Sequence, residues 1–405
     1  MTIEFMKKID YWIGIPLCFL FSGINYIWKL FSYREKKEKE VAKVLFIKLS
    51  EMGSIILSYP LIKHFKEKYP RADVFFLSFK ENKALLEILR IISTDKILTI
   101  RKSTVCLFVL DTLRAVKKLR KENIDVAFDL EFFSRFTVLF SFVIGAKRRI
   151  GFYHYALEGL YRGNLLTHKI QYNPMIHISK SFLSFLQVVE FDRKDTPDLK
   201  RVINREEVSL PEFIVSEEKK ERMLKKLQNL GINRGAKLFL VNPGEGTLPL
   251  REWPLENFIV LCRRILENDR NFIVVVGKAD FSHKAKRFCE AINSNRCINL
   301  NGKTTLSELL ILFAIAEVLI TYDCGLAHLA SLTPIKKFVI FGPESPIVFA
   351  PLGETYVIYI NLICSPCFSI FNHRSSACKN NRCLKMIRPD EVYKAMKSIL
   401  SIEER

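Results

Sequence analysis

The sequence predicts an α/β protein with two doubly wound domains, each built on a parallel β-sheet. After Val41, short apolar runs alternate with amphipathic helical patterns, which is typical of parallel sheets covered by helices on both faces. The alternation occurs in two blocks, joined by a charged stretch around Asp192–Arg205. The 405 residues are enough for each block to bury its own core. We therefore expect two sheets facing a central cleft, with ligands at the carboxyl ends of the strands.

The apolar runs predict five strands in the first block and six in the second. They are Val44–Leu49, Asp73–Ser78, Lys96–Ile100, Asp125–Leu130, Arg149–Tyr153, Leu238–Asn242, Phe272–Gly277, Cys297–Leu300, Val318–Thr321, Lys337–Phe341 and Tyr356–Ile360. The predicted organisation is a hydrophobic segment with a charged linker (1–40), a first domain (41–205), a second domain with a cysteine cluster (206–388) and a C-terminal helix (389–405).

Residues 11–28 form an uncharged, apolar segment with lysines on both sides. Its length is at the lower limit for crossing a bilayer. Pro16 interrupts it, and positive charge on both flanks disfavours a cleaved signal peptide. We expect a membrane-associated helix, with Trp12, Tyr26 and Trp28 at the level of the lipid headgroups. The alternative is a core helix of a soluble domain.

The net charge of +20 favours anionic partners such as nucleic acid, lipid headgroups or phosphorylated sugars. We expect no nucleic-acid partner, because the sequence shows no recognisable reading motif or aromatic-rich basic stretch. Six of the ten cysteines are scattered singly, which favours a reducing compartment.

The turn after the first strand, Lys48–Ser54, leads directly into a predicted helix. Gly53 lets backbone approach a ligand there, and the start of a helix favours negative charge. The alternative is an ordinary turn with a serine cap. The basic run Lys147, Arg148 and Arg149 suits an anionic ligand in the same block, or forms a solvated surface.

A glycine-containing loop, Asn242–Gly246, follows the first strand of the second block and continues to Arg251. An arginine can form bidentate hydrogen bonds to phosphate oxygens, so this loop predicts a phosphate contact. The alternative is a plain loop with a solvated arginine.

The segment Thr321–Ala330 combines an acid, a glycine and a histidine at the end of a strand. Asp323 ends the strand, Gly325 opens a helix, and His328 lies about one helical turn further on, so all three can face one ligand. The alternative is a helix cap beside a core histidine. The rigid turn Phe341–Pro346 follows the next strand and borders the same edge of the sheet, or is a turn only.

Four cysteines lie within twenty residues near the C-terminus: Cys364, Cys367, Cys378 and Cys383. Four thiolates at such short spacings can hold a structural zinc ion. Two disulfides and four buried free thiols are the alternatives. The intervening segment Asn372–Arg374 is polar and cationic enough to line an anion-binding edge.

These motifs together resemble the bacterial heptosyltransferases of lipopolysaccharide core synthesis, glycosyltransferase family nine. The resemblance covers roughly residues 41–387 and rests on IKLSEMGSIILSYPLIKHFKEKYP, REWP, TYDCGLAHLA and FGPESP. It implies the GT-B architecture, two Rossmann-like domains facing a central cleft. It also implies an inverting transfer of heptose, without a required cofactor, from ADP-heptose to an anionic, lipid-linked oligosaccharide. The expected location is the cytoplasmic face of the bacterial inner membrane.

The resemblance also implies roles for single residues. Arg251 stands where the family usually has a lysine that holds donor phosphate, and Asp323 would contact hydroxyls of the donor sugar. The Gly325 backbone and His328 would hold the diphosphate or the heptose, and Asp280 is a further candidate for the donor pocket. The acceptor side would use Lys48, Gly53, Lys147, Arg148 and Arg149.

The opening turn departs from the family pattern. There the glycine is normally followed by an aspartate thought to be the general base, whereas Ser54 follows Gly53 here. A serine at its ordinary pKa cannot deprotonate the acceptor hydroxyl, and Glu51 is the nearest acid in sequence. Glu51 therefore acts as the base, the acceptor is activated differently, or catalysis has been lost.

Two alternative functions remain open at this point. One is a glycosyltransferase of the same fold with a different donor sugar. The other is a catalytically inactive relative that binds the nucleotide sugar or the lipid acceptor as a membrane scaffold.

Overall fold

The structure, a computed structural model, describes residues 1–31, 41–153, 160–189, 202–244 and 248–403. It divides into two compact units, Met1–Val208 and Ser209–Arg405. Each unit contains one six-stranded sheet in which every strand pair is parallel. The two-domain α/β fold predicted from the sequence is therefore confirmed. The predicted linker 34–40, most of the charged stretch 192–205, and residues 245–247 lie outside the described residues.

The sheet of the N-terminal unit has the strand order β3-β2-β1-β4-β5-β6. Its strands are β1 Lys43–Ile47, β2 Asp73–Phe79, β3 Ile97–Ile100, β4 Val126–Asp129, β5 Arg148–Tyr153 and β6 His168–Gln171. The helices of this unit are α1 Ile3–Trp12, α2 Gly14–Phe31, α3 Met52–Leu57, α4 Tyr59–Lys68, α5 Lys83–Leu89, α6 Val105–Glu122, α7 Arg135–Val143 and α8 Ile178–Val188. Strands are added outward from β1 on one side of the sheet and then outward from β4 on the other. The point between β1 and β4 is therefore the switch point, where doubly wound sheets bind ligands.

The sheet of the C-terminal unit, in the order β12-β11-β10-β7-β8-β9, repeats this topology. Its strands are β7 Lys237–Val241, β8 Asn271–Val275, β9 Cys297–Asn299, β10 Val318–Tyr322, β11 Lys336–Phe341 and β12 Thr355–Tyr359. The helices are α9 Glu217–Gln228, α10 Leu255–Ile265, α11 Ser282–Ile292, α12 Leu306–Ile315, α13 Gly325–Ala330, α14 Pro346–Phe349, α15 Arg382–Lys385 and α16 Pro389–Glu403. The switch point here lies between β7 and β10.

Central strands form where the sequence is apolar on both faces of the sheet. In β1 the last four residues are buried, and all five residues of β10 are buried, because helices cover both faces. Every predicted strand is present, with ends that differ by at most two residues. The strand β6 was not predicted, because its four residues, HKIQ, alternate polar and apolar types instead of forming an apolar run.

The helical region predicted after the first strand is divided into α3 and α4 at Ser58. Pro60 stands in the first turn of α4, and its ring nitrogen cannot donate the hydrogen bond that a continuous helix would require. The division places the short α3 directly after β1, so the turn Lys48–Ser54 lies at the carboxyl end of that strand.

The apolar N-terminal segment is helical, with α1 and α2 joined at Ile13. The stretch Glu4–Leu30 is long and apolar enough to cross a membrane by length and composition. In this structure it packs against α7 of the N-terminal unit. Asp10 accepts hydrogen bonds of 2.9 Å from the backbone nitrogens of both Arg135 and Phe136, at the start of α7.

The C-terminal helix α16 packs against α10 within the C-terminal unit. The core here includes Phe258 on α10 and Val392 on α16. The buried indole of Trp253 donates a hydrogen bond of 3.1 Å to the backbone oxygen of Ile387, just before α16 begins. This bond ties the REWP segment to the end of the chain.

Candidate functional site

The predicted motifs fall at the switch points of the two sheets. In the C-terminal unit, Asn242 follows β7 and Asp323 follows β10, and these two strands are hydrogen-bonded neighbours. In the N-terminal unit, the turn Lys48–Ser54 follows β1 and Glu131 lies just after β4. Both sites therefore occupy the position where strand order reverses and loops diverge.

Arg251 is the centre of the site in the C-terminal unit. It lies in a short 3₁₀ turn, Pro249–Arg251, and its side chain is mostly buried. Its Nη1 is 3.3 Å from Asp323 Oδ2, and its Nη2 forms an ion pair with Glu344. The guanidinium also lies over the ring of Phe368, 5.7 Å from its centroid. Three motifs that are far apart in the sequence thus meet at one cation.

Glu344 and Arg374 extend this cluster and were not chosen as site residues from the sequence. Glu344 is in the turn after β11, and Arg374 Nε lies 3.0 Å from its Oε2. Arg374 also covers the ring of Phe349 at 4.6 Å. The sequence showed both residues, one in a rigid turn and one in the polar stretch between the cysteines, but it could not show that the two segments meet.

The segment that carries the cysteines is hydrogen-bonded to the loops that hold Glu344 and Arg251. The Phe368 backbone nitrogen donates to Pro343 O at 2.7 Å, and the Ser365 hydroxyl donates to Gly342 O. The Asn381 side-chain amide donates to Glu252 O at 3.2 Å, within the REWP element. This segment therefore positions the loops that hold Glu344 and Arg251.

Burial and charge act against each other in the cluster. Burial raises the pKa of Glu344 to about 8, while the neighbouring Arg251 guanidinium opposes the rise. Burial likewise raises the pKa of Asp323, again opposed by Arg251. Burial lowers the pKa of Arg374 to about 10. The cationic Arg251 thus lies between two acids whose pKa values are raised by burial, an arrangement that an anionic ligand can disturb.

The other residues predicted for the donor side come from two different loops of the C-terminal unit. Gly325 begins α13 immediately beyond Cys324, and His328 is buried on that helix. Asp280 is exposed in a 3₁₀ turn after β8, a strand that lies on the far side of β7 from β10. The Gly325 backbone and His328 thus belong to the switch-point loop, whereas Asp280 comes from the next loop outward.

In the N-terminal unit, Glu51 and Ser54 are hydrogen-bonded to each other. The buried Ser54 hydroxyl donates to Glu51 Oε2 at 2.9 Å. The Glu51 side chain is 38% exposed, and its backbone is in a left-handed conformation with φ of 67°. Non-glycine residues rarely adopt this conformation, and such strain concentrates at functional sites. The carboxylate is therefore the group of this pair that a solvent-borne hydroxyl can reach.

Lys48 and Glu131 form a buried pair beneath this turn. Lys48 Nζ lies 3.0 Å from Glu131 Oε2 and 3.9 Å from Glu51 Oε2. Glu131 Oε1 accepts hydrogen bonds from the backbone nitrogens of Leu49 and Ser50, at 2.7 and 3.0 Å. Glu131 was missed in the sequence because it lies 83 positions from Lys48. This geometry makes Lys48 a support for the turn, with its ammonium fully buried.

The basic run predicted for the acceptor lies elsewhere. Arg148 begins β5, and the register pairs it with Val126 and, through β4, with Val44 at the amino end of β1. Lys147 forms an ion pair with Asp125, and Arg149 donates to the backbone oxygen of Leu165 at 2.7 Å. The structure therefore does not bring Lys147, Arg148 and Arg149 to the Lys48–Ser54 turn, which is at the opposite end of the sheet.

All four clustered cysteines are free thiols, with Cys383 buried and Cys364 and Cys378 exposed. Burial raises the pKa of Cys383, and the nearby thiols of Cys367, Cys378 and Cys364 add to this rise. Across the described ranges of the chain, no three His, Cys, Asp or Glu side chains are grouped so that they could hold a metal ion. A structural zinc ion at these cysteines stays a prediction.

Comparison with solved structures defines the class of protein. The structure of the E. coli ADP-heptose lipopolysaccharide heptosyltransferase II matches with a TM-score of 0.69 at 20% identity, over 90% of this chain and 100% of that one. Together with the two doubly wound sheets, this match identifies the fold as that of a GT-B glycosyltransferase.

Sequence comparison then identifies the family. Residues 112–376 match the model of glycosyltransferase family 9 (heptosyltransferase). The lipopolysaccharide heptosyltransferase 2 of Salmonella typhimurium is 24% identical over 364 residues, which cover 89% of this chain and 99% of that protein. The lipooligosaccharide heptosyltransferase 2 of Campylobacter jejuni is 26% identical over 184 residues, covering 43% of this chain and only 55% of that protein. The chain belongs to glycosyltransferase family 9.

Proposed function

We propose that this protein transfers a heptose from ADP-heptose to a sugar of a lipid-linked lipopolysaccharide core, with inversion at the anomeric carbon. The observation that carries the proposal is the buried cluster of Arg251, Asp323 and Glu344 at a switch point, in a chain of the heptosyltransferase family. The names of its relatives, which refer to ADP-heptose and to lipopolysaccharide, support this donor and acceptor class.

The proposed donor contact is the diphosphate on Arg251. The guanidinium fork can bind two phosphate oxygens in a bidentate manner. Such binding competes with Asp323 and Glu344 for the same N–H groups, so the Asp323 carboxylate becomes free to accept hydrogen bonds from donor-sugar hydroxyls. The backbone of Gly325 and the His328 imidazole, on the same switch-point loop, are proposed to contact the diphosphate or the heptose.

The proposed general base is Glu51. Its carboxylate takes the proton of the acceptor hydroxyl while the hydroxyl oxygen forms a bond to the anomeric carbon of the heptose. The bond from that carbon to the diphosphate oxygen breaks, and its electron pair leaves with ADP. A single displacement of this kind inverts the anomeric configuration. Arg251 then stabilises the charge that develops on the leaving diphosphate.

Ser54 is proposed to orient Glu51 rather than to accept the proton itself. Its hydroxyl already donates to Glu51 Oε2 at 2.9 Å, which fixes the direction of the carboxylate. The ammonium of Lys48 lies 3.9 Å from the same carboxylate oxygen. This arrangement supplies a carboxylate at the turn where the family pattern places its base.

The proposed location is the cytoplasmic face of the bacterial inner membrane. The family's lipid-linked acceptor and the apolar N-terminal helices of this chain support that location. Lipid association brings the acceptor and the enzyme to one surface, which raises the effective concentration of the acceptor.

The test is release of ADP from ADP-heptose by purified protein, with and without a lipopolysaccharide core acceptor. We expect turnover that requires the acceptor, an Asp323→Ala variant with weakened donor binding, and a Glu51→Gln variant that binds ADP normally but turns over slowly. Asp269→Ala is the control, because Asp269 is fully exposed in the same unit as Asp323. Donor binding without turnover in the unmodified protein would contradict the proposal and favour the scaffold.

The identity of the sugar is tested in the same assay with ADP-hexoses. Faster turnover of an ADP-hexose than of ADP-heptose would contradict the heptose assignment while leaving the fold and the base in place. The anomeric configuration of the product, measured by NMR, tests inversion.

A further inference from the structure

The largest exposed apolar side chains of the N-terminal unit are concentrated on its first two helices. Trp12 is 73% exposed, Phe19 75% and Trp28 67%. Tyr26 and Leu30 on α2 are more than 60% exposed as well. Such a concentration of exposed apolar side chains on two adjoining helices marks an interaction surface rather than ordinary scatter of apolar residues.

The opposite face of α2 is fastened to the N-terminal unit. Cys18 is fully buried and packs with Val138, Leu165 and Leu166. The Ser22 hydroxyl accepts a hydrogen bond of 2.7 Å from the Asn164 backbone nitrogen.

Two further contacts extend this attachment along the helix. The buried Asn25 side-chain amide donates to the Asn164 backbone oxygen at 3.1 Å. Gly163 approaches α2 so closely that a Cβ there would lie 2.7 Å from the Cys18 backbone oxygen. The helix is therefore held along its length, with its apolar outer face left uncovered by the described residues of its own unit.

A second exposed apolar stripe lies on α6. Val105, Val109 and Leu113 are spaced four residues apart, so they share one helix face, and each is between 47% and 60% exposed. Leu110 beside them is 42% exposed. The second half of the same exposed face carries cations instead, including Lys117. This change from apolar to basic along one helix was not predicted from the sequence.

The two apolar regions adjoin. The Met1 backbone nitrogen donates to the backbone oxygens of Lys102 and Ser103, at 2.7 and 3.2 Å, just before α6 begins. Met6 on α1 packs on the same core cluster as Phe108 on α6. We call the exposed apolar side chains of α1, α2 and the first half of α6 the N-terminal apolar surface.

The composition of this surface identifies what covers it. The three helices carry eight Lys and Arg against four Asp and Glu, in a chain of net charge +20. Two of the three tryptophans of the protein, Trp12 and Trp28, are exposed here, and the third, Trp253, is buried. Exposed aromatics with apolar neighbours and surrounding cations match the interface of an anionic bilayer, where indole rings settle at headgroup depth.

We propose that the N-terminal apolar surface binds an anionic lipid bilayer as one unit, with α2 lying in the plane of the interface and α6 providing a second point of contact. A helix that crossed the bilayer would have to abandon the buried contacts of Cys18 and Asn25. The inference deepens the location given under the proposed function. Vesicle binding does not require sugar transfer, so the two can fail separately.

The first experiment measures binding of the full chain to vesicles of phosphatidylcholine with and without phosphatidylglycerol. We expect binding that requires the anionic lipid and weakens with salt. A Val109→Ser/Leu113→Ser double variant should bind roughly tenfold more weakly, from the loss of partly buried apolar area. The control is Val260→Ser/Ile347→Ser, which removes two comparably exposed apolar side chains from the C-terminal unit.

The second experiment measures the depth of α2 with bromine-labelled lipids that quench tryptophan fluorescence. Phe19→Trp, in a chain with Trp12→Phe and Trp28→Phe, places a reporter on α2 near the middle of the Glu4–Leu30 stretch. An in-plane helix predicts stronger quenching by bromines near the headgroups than by bromines near the bilayer centre. The buried Trp253 contributes the same background fluorescence in every sample.

Three results would overturn the proposal. Equal vesicle affinity of the α6 double variant and its control would remove α6 from the surface. Strongest quenching of the reporter at the bilayer centre would show a spanning helix. Concentration-dependent self-association without vesicle binding would show that a second copy of the chain covers this surface.

Discussion

Replacing Glu344 with glutamine tests whether the cluster of Arg251, Asp323 and Glu344 exchanges a proton when ADP binds, as the proposed diphosphate contact requires. Glu344 contacts both arginines of the cluster, with Arg374 Nε at 3.0 Å, and burial raises its pKa to about 8. A diphosphate on Arg251 brings further negative charge to a site that already holds two acids. Like charges at short range favour the protonated acid, so ADP should bind the form in which Glu344 is neutral.

The size of the effect follows from that pKa. If ADP binds only the protonated form, the apparent Kd rises by a factor of one plus the ratio of ionised to protonated Glu344. With a pKa of about 8, ADP affinity should fall about tenfold between pH 7 and pH 9. In the Glu344→Gln variant this dependence should disappear, because the amide does not titrate.

Calorimetric titration of ADP across this pH range is the assay. ADP's own ionisation is the same in both proteins, so the ratio of their Kd values isolates the side chain. Glu290→Gln, an exposed change on α11, is the control for removing one negative charge from the same unit. Thermal unfolding of each variant checks that the fold is retained. A wild-type Kd with the same pH dependence as that of Glu344→Gln would refute the reasoning.

Three other predictions concern the base, the core and the cysteines. Glu51→Gln should lower kcat by about 10²- to 10⁴-fold with ADP affinity unchanged, and Ser54→Ala should lower kcat by a smaller factor. Equal rates in wild type and Glu51→Gln would remove Glu51 from the mechanism. Lys337 is fully buried, and burial lowers its pKa to about 8. From about pH 8 up to the ordinary lysine pKa, the unfolded chain therefore binds more protons than the folded chain. Stability to urea should therefore rise with pH across that window, and Lys337→Met should raise it by about 2 kcal/mol at neutral pH and abolish the dependence; a Lys337→Met variant that is no more stable would contradict this. Elemental analysis of chelator-washed protein tests the zinc prediction: about one zinc ion per chain, lost in Cys383→Ser, would support it, and metal-free wild type would end it.

The strands and their ligand-binding ends could be predicted because local chemistry determines them. A strand buried on both faces requires a run such as VLFI in β1 or VLIT in β10, and the residue after it lies at the carboxyl edge by definition. Asp323 and the Lys48–Ser54 turn followed directly from this rule. The apolar character of the first thirty residues was equally visible, since it depends on composition alone.

The partners of these residues could not be predicted, because they come from loops distant in the chain. Glu131 reaches Lys48 across the switch point, and Arg374 reaches Glu344 only because a polar segment folds back onto the sheet. Single-sequence patterns carry no information on such pairings. The contact of Arg251 with Asp323 was foreseen only in the sense that both were expected at one edge.

The basic run shows a different limit. Charge marked Lys147, Arg148 and Arg149, but charge does not tell which end of a sheet a residue occupies. Their position at the start of β5 was the better guide, because the amino end of a parallel strand lies away from the ligand edge. Position relative to a strand should therefore take precedence over charge when acceptor contacts are chosen.

Asp10 links the first helix to the start of α7 through two backbone hydrogen bonds, and this has a practical consequence. Shortened versions of the protein, made to obtain water-soluble material for crystallisation, would strip α7 of its cap and leave Val138 and Leu166 facing solvent. Proteolytic removal of α1 and α2 would have the same effect on the N-terminal unit. Mild detergent is the better route to a homogeneous preparation. It covers the exposed apolar side chains of α1 and α2 while their packing against α7 stays intact.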